Sequence, residues 1–252
     1  MLTNKAYYNI TLLELLSFRA PMVHYTYTDE KPTLHEIEAG NTKGEREARF
    51  NFVKWALRQK PIKESKEFYF SNASYSVACM MLEKASDKTY EELVRQLGSE
   101  LSIDFGFGSP SQLDSTQTWG HAEDNIPEPR GNNFQLNWLM AAGNINVSLQ
   151  DYSKFAQLQL LGLRGKSNLL SASDFYLLHY GKTKFALGWF CDSSASGHLG
   201  SHNLGNPGFF MTSVSVIKDI DRAYIIFTNA QNQKTQEGIE LLLNAMKKEY
   251  GD

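Results

Sequence analysis

Cysteine is scarce in this chain. The two present, Cys79 and Cys191, stand in no Cys-x-x-Cys or Cys-x-x-His pattern. That excludes a disulfide-stapled scaffold and a cysteine-built zinc site. A single disulfide stays open, although Cys79 lies in an apolar helical pattern and reads as a buried free thiol. Cysteine usage therefore does not fix the compartment. Long apolar runs are missing as well: a membrane-spanning helix needs about 20 apolar residues in a row, and none occurs. The first residues, MLTNKAYYNITLLELLSF, lack the basic n-region of a signal peptide. They read as the middle of a domain, with Ile10, Leu13 and Leu16 at helical spacing. An excess of positive charge is also missing. Twenty-five basic and 28 acidic residues leave a net charge of −3, which gives no footprint for nucleic acid. Lys247 and Lys248 complement the dipole at a helix end. No internal repeat and no low-complexity tract occur.

What is present suits one large globular domain, or a domain with a smaller lobe: 252 residues, 42% of them hydrophobic. Residues 9–17 read as a short helix capped by Thr11 or Asn9. Residues 18–44 read as a long loop. Residues 45–60 form an amphipathic helix with Phe50, Val53, Trp55, Ala56 and Leu57 inward, ended by Pro61. Ser71 or Asn72 caps the next helix, which carries Val77, Ala78, Met81 and Leu82 on its apolar side. Thr89 and Glu92 form a capping box for another. Residues 99–135 are rich in Gly, Pro, Ser and Asn and read as loop. Helices follow at 148–161, capped by Ser148, and at 172–180. The last third holds β-rich runs, with a hairpin turn at Asp219–Asp221, and a closing helix over 234–250. Three antiparallel strands and helices segregated in sequence give an α+β class.

Two stretches carry candidate chemistry. The first is FYFSNASYSVACMMLEKASDKTYEEL, where Phe70, Ser71 and Asn72 precede a helix. Taken alone, Ser71 and Asn72 are capping residues. The second is HLGSHNLGNPGFF, where His198-Leu-Gly200 opens a β-rich region. Trp119 and His121, in the long loop, are candidate cleft residues or loop anchors. His198 and His202 stand four apart, but in a strand that spacing defines no common ligand face, and no acidic third ligand is near. No phosphate loop and no Gly-x-Ser-x-Gly elbow is present. Neither a metal nor a cofactor is expected.

The sequence resembles the serine β-lactamase and penicillin-binding-protein family, on the branch of class C β-lactamases, D-alanyl-D-alanine carboxypeptidases and related esterases. ITLLELLSFRAPM is similar to that family's Ile-Thr-x-x-x-Leu-Leu-x-His-x-Ser-Gly segment. FSNASYSVACMMLEKASDKTYEEL resembles its Tyr-Ser-Asn-x-x-Tyr helix opening, and MAAGNINVSLQDYSKFAQLQL its Ala-Gly-Gly-x-x-Ser-x-x-Asp-Leu-x-x-Phe helix. HLGSHNLGNPGFF stands where the family has Lys-Thr-Gly or His-x-Gly. The resemblance implies acyl transfer by a Ser-x-x-Lys serine, with a tyrosine and a lysine moving protons. It makes Asn72 the orienting amide, His198 and Gly200 the strand motif, and Ser201 the backbone donor to an oxyanion. Phe70 then takes the place of the catalytic tyrosine and contacts substrate, as Trp119 and His121 would.

The departures are as informative. A phenyl ring at Phe70 carries no transferable proton, and Tyr69 next to it points to the opposite side in an extended segment. Phe18 and Pro21 stand at the family's His and Gly positions. The only Ser-x-x-Lys match, Ser215-Val-Ile-Lys218, falls in an alternating β run and reads as chance. The resemblance implies one β-lactamase-like domain over 1–252, with a helical lobe at about 9–180 and a sheet with the C-terminal helix at about 181–252. The first strands and the nucleophile helix are expected to lie outside this chain. The function implied is serine hydrolysis of an amide, a β-lactam or a small ester, in truncated or degenerate form. The alternative is a non-catalytic module that retains the cleft. The partner is a small-molecule or peptide-like substrate, and a homodimer over an exposed sheet face or edge is expected. A periplasmic or secreted location follows only if the gene carries an export signal.

Overall fold

The computed structural model describes residues 3–25, 45–62, 67–129, 141–193 and 197–251. Residues 26–44 of the expected 18–44 loop, and 130–135 of the expected 99–135 loop, lie outside the described residues. The chain divides into two compact units, Met1–Gln96 with Phe134–Ile145, and Leu97–Asn133 with Asn146–Asp252.

Local capping sets the helix starts in the first unit. Thr11 and Glu14 close a capping box at α1 (Leu12–Leu16). Helix α2 spans Glu45–Ala56. Ser71, not Asn72, is the N-cap of α3 (Asn72–Ser86), its hydroxyl accepting from Ser74 N–H. Thr89 and Glu92 form the expected box at α4 (Tyr90–Leu101), through which the unit boundary runs. Leu15, Met22, Tyr25, Phe52, Ala73, Val77 and Ala78 make one buried cluster. The inward row of α2 is Ala48, Phe52 and Ala56. Phe50 lies off that row and is 46% exposed, with Lys54 Nζ above its ring. Met81 and Leu82, expected on the apolar side of α3, are also exposed, whereas Ala73, Val77 and Glu83 are buried. Arg49 is buried and pairs with Glu91 (2.9 Å), and more distantly with Glu83 (3.8 Å), linking α2, α3 and α4.

In the second unit, the stretch expected to be loop contains β1 (Phe105–Phe107) and α5 (Pro110–Leu113). β2 (Ile145–Val147) leads into α6 (Leu149–Leu163), capped by Ser148 as expected. Helix α7 is Ala172–Tyr180. The sheet has five antiparallel strands where three were expected: β3 (Lys184–Phe185), β4 (Phe190–Ser193), β5 (Leu199–Gly205), β6 (Met211–Ile217) and β7 (Arg222–Thr228), in that spatial order. A 3-10 turn at Lys218–Ile220, with Asp221 in the left-handed region, joins β6 to β7. Helix α8 (Gln233–Tyr250) ends the unit.

Strand alternation sorts the sheet's two faces. Val214, Val216, Ala223 and Ile225 pack with Ala156, Leu163 and Phe175 of α6 and α7. Those two helices therefore belong to the sheet's unit, not to a helical lobe ending near residue 180. Tyr224 points to the other face, where its hydroxyl donates to Gly251 O just beyond α8 (2.5 Å). No described helix is long and apolar enough to cross a membrane.

Candidate functional site

The first unit holds Phe70 and Asn72. The entry to α3 is pinned twice: Tyr69 N–H donates to Phe18 O (2.8 Å), and Ser71 Oγ donates to Val23 O (2.6 Å). Ser71 is fully buried and its hydroxyl is committed to that tether and to the cap. Asn72, the first helical residue, is half-buried, and its carboxamide makes no hydrogen bond among the described residues. The Phe70 ring packs 4.8 Å from Phe18, which in turn meets Tyr75 at 5.1 Å. The Tyr75 hydroxyl donates to Leu16 O, and burial raises its pKa, so this phenol does not replace the one missing at Phe70. One ionisable ring does come close. His24 lies edge-on to Tyr69 (5.4 Å) and Phe70 (6.2 Å). No local pattern singled out His24, because the Ser71–Val23 bond that places it spans 48 residues.

The second unit holds the other candidates, and they fall at opposite ends of β5. His198 precedes the strand, with Nδ1 3.9 Å from Asp219 Oδ2 in the β6–β7 turn. Gly200 lies between Asp192 of β4 and Ile217 of β6, and Ser201 between Cys191 and Val216. Both edges of the backbone there are taken by neighbouring strands. The Gly200–Ser201 edge is thus not offered to a ligand, contrary to the role expected for it. The Ser201 side chain points inward. Its Oγ lies 2.6 Å from His179 Nδ1, and His179 Nε2 lies 3.0 Å from Gln159 Oε1. The Trp189 ring stacks on the imidazole at 4.4 Å. Burial lowers the His179 pKa to about 3, so the ring is neutral. With Gln159 Oε1 accepting, Nε2 carries the hydrogen and Nδ1 accepts from Ser201.

The pairing of β4 with β5 stops at Phe190–His202, whereas β5 stays paired with β6 as far as Gly205–Thr212. Asn203 Nδ2 donates to Gly188 O, which leaves Leu204 and Gly205 as the stretch of β5 flanked, among the described residues, by a strand on one side only. Leu204 is 65% exposed. Trp119 and His121 sit at this end, where His121 N–H donates to Phe209 O and Gln231 N–H to His121 O. Gly200 and Gly205 are five residues apart, roughly 17 Å at strand rise. His198 and His121 therefore do not share a site. His202 stacks on Phe190 and lies opposite Ser215. Ser215 is in mid-strand and Lys218 is in the following turn, so the chance Ser-x-x-Lys match has no helix behind it.

Beneath the Trp119–His121 segment, the buried Glu128 carboxylate accepts from Ser109 Oγ (2.6 Å), from Ser111 Oγ and from Gly120 N–H (3.2 Å). A shallow cavity of about 420 Å³ lined by Leu101, Leu158, Leu161 and Leu169 contains none of the candidate residues. Among the described residues no cluster of three His, Cys, Asp or Glu side chains is placed to hold a metal ion.

The fold has solved counterparts. The D-amino acid amidase from Ochrobactrum anthropi SV3, in its complex with L-phenylalanine amide, matches with a TM-score of 0.68 at 16% identity, over 98% of this chain and 74% of that one. A class C beta lactamase from Rhodobacter sphaeroides matches with a TM-score of 0.66 at 11% identity, over 96% and 74%. The octameric penicillin-binding protein homologue from Pyrococcus abyssi matches with a TM-score of 0.62 at 15% identity, over 92% and 56%. No curated protein matches the chain in sequence. The family model for beta-lactamase matches residues 1–246, so the chain belongs to the beta-lactamase family and has the α+β fold of the serine β-lactamases and penicillin-binding proteins.

Proposed function

We propose that this chain is a β-lactamase-related serine hydrolase in degenerate form. It recognises a small or peptide-like amide, a β-lactam or a small ester, and turns it over weakly or not at all. The carrying observation is at the start of α3. Asn72 keeps an uncommitted carboxamide there, while the ring before it, Phe70, is a phenyl packed on Phe18. An amide can orient a ligand's amide, but a phenyl ring cannot pass a proton. Loss of a proton-transfer group alone slows such chemistry by roughly 100- to 10,000-fold, and Ser215, in mid-strand, is poorly set to act as a nucleophile. In the second unit, the recognition edge is Leu204–Gly205. A ligand amide there pairs with backbone as an added strand would.

Intact mass after incubation with a penicillin and, separately, with a fluorophosphonate tests this. The expected result is no adduct on a folded sample that still binds a small amide. A stoichiometric adduct would overturn the degenerate reading, and peptide mapping, starting at Ser215, would name the nucleophile. The second reading, a binding module that never turns over, is favoured by Phe70. It predicts that Phe70→Tyr changes no rate.

The homodimer belongs to the same proposal. Among the described residues, β7 pairs only with β6, so it ends the sheet. A second copy pairing along β7 would satisfy that edge. Light scattering that gives a monomer mass at micromolar concentration would rule this out.

A further inference from the structure

His121 is held more firmly than a loop histidine requires. Its backbone N–H donates to Phe209 O (3.0 Å) and its carbonyl accepts from Gln231 N–H (2.8 Å). On its N-terminal side, Gly120 exchanges hydrogen bonds with Glu128: Glu128 N–H donates to Gly120 O (2.9 Å), and Gly120 N–H donates to the carboxylate. Trp119 O accepts from Asn229 Nδ2 (3.1 Å). The side chain is locked too. His121 Nδ1 lies 2.9 Å from Asn229 O. A carbonyl oxygen only accepts, so Nδ1 carries the hydrogen. In the neutral form of the ring, Nε2 then holds the lone pair. The ring is half-exposed, and Nε2 makes no hydrogen bond among the described residues.

We infer that His121 is a preorganised acceptor in the ligand site, its Nε2 taking a hydrogen bond from an ammonium or amide N–H of a bound amino-acid amide. The inference rests on the amide-recognition reading above and names the polar contact that fixes the ligand's orientation. His121 stands at the same end of the sheet as the Leu204–Gly205 edge. A ligand laid antiparallel to β5 on that edge would present its amino-terminal donor toward this end. Because the imidazole is held at both Nδ1 and the backbone, binding orders little that is not already ordered.

Two measurements test it. A long-range 1H–15N spectrum of the free protein at pH 8 reads the tautomer directly. The expected His121 pattern is a protonated Nδ1 and a bare Nε2; a protonated Nε2 would overturn the inference. Phenylalanine amide is then titrated into the wild type and into His121→Asn. Asparagine keeps an N–H within reach of Asn229 O but has no acceptor at the Nε2 position. The expected result is an Nε2 shift on binding in the wild type, and an affinity loss on the order of tenfold in the variant. Equal affinities would discard His121 while leaving amide recognition standing. No binding to the wild type would discard amide recognition, and the inference with it.

Discussion

Ser201 and His179 close a hydrogen bond of 2.6 Å inside the second unit, between β5 and α7. Ser201, whose backbone N–H the resemblance made an oxyanion donor, thus uses its side chain as a buried strut. The ring contacts around it, from Trp189 and Tyr180, and the Gln159 bond at Nε2 bring no charged group to compensate a proton.

Acid should therefore destabilise this unit through His179. Burial lowers its folded pKa to about 3 from the ordinary histidine value of 6.5. The unfolded chain then binds the extra proton, so stability is full above the unfolded value and falls as pH drops toward the folded one. Each pH unit in that window costs up to about 1.4 kcal/mol. Urea midpoints measured from pH 7 to pH 4 should fall steeply in the wild type and less in His179→Asn. Matching slopes would show that His179 does not carry the effect.

At the entry to α3, neighbouring residues should behave oppositely. Ser71→Ala removes the cap and the tether to Val23, and is expected to cost about 2 kcal/mol in thermal unfolding. Asn72→Ala should stay within about 0.5 kcal/mol, since its amide bonds to nothing described, yet weaken amide binding. A large stability loss at Asn72 would mark it as a structural residue instead.

Glu128→Ala strands the Ser109 and Ser111 hydroxyls and the Gly120 N–H. A loss of about 3 kcal/mol is expected, together with faster hydrogen exchange at Gly120 and His121. Unchanged exchange there would show that Glu128 does not hold the Trp119–His121 segment.

Gly162 lets α6 lie against the Phe175 ring, which a Cβ would overlap. Gly162→Ala gains about 1 kcal/mol of helix propensity but overpacks a buried ring at a cost of about 1–3 kcal/mol. The expected sign is a lower melting temperature, with partial recovery when Phe175→Leu is added. A raised melting temperature would place the ring elsewhere.

Local chemistry was legible in advance. Ser71, Thr89 and Ser148 cap helices because a hydroxyl or carboxylate reaches backbone only a few residues away, and the Asp219–Asp221 turn is equally local. The family, too, was readable, since its motifs are short and ordered along the chain. Tertiary structure decided the rest. It turned Phe50, Met81 and Leu82 outward, because burial depends on which helix face meets a partner. Residues distant in sequence, such as Val23 and Ser71, came together only by long-range bonds, and with them His24 and Phe70. Strand register is likewise non-local: pairing with β4 closed the Gly200–Ser201 edge and, among the described residues, left Leu204–Gly205 open. It also put His198 and His121 at opposite ends of one strand, a separation that no spacing along the chain encodes.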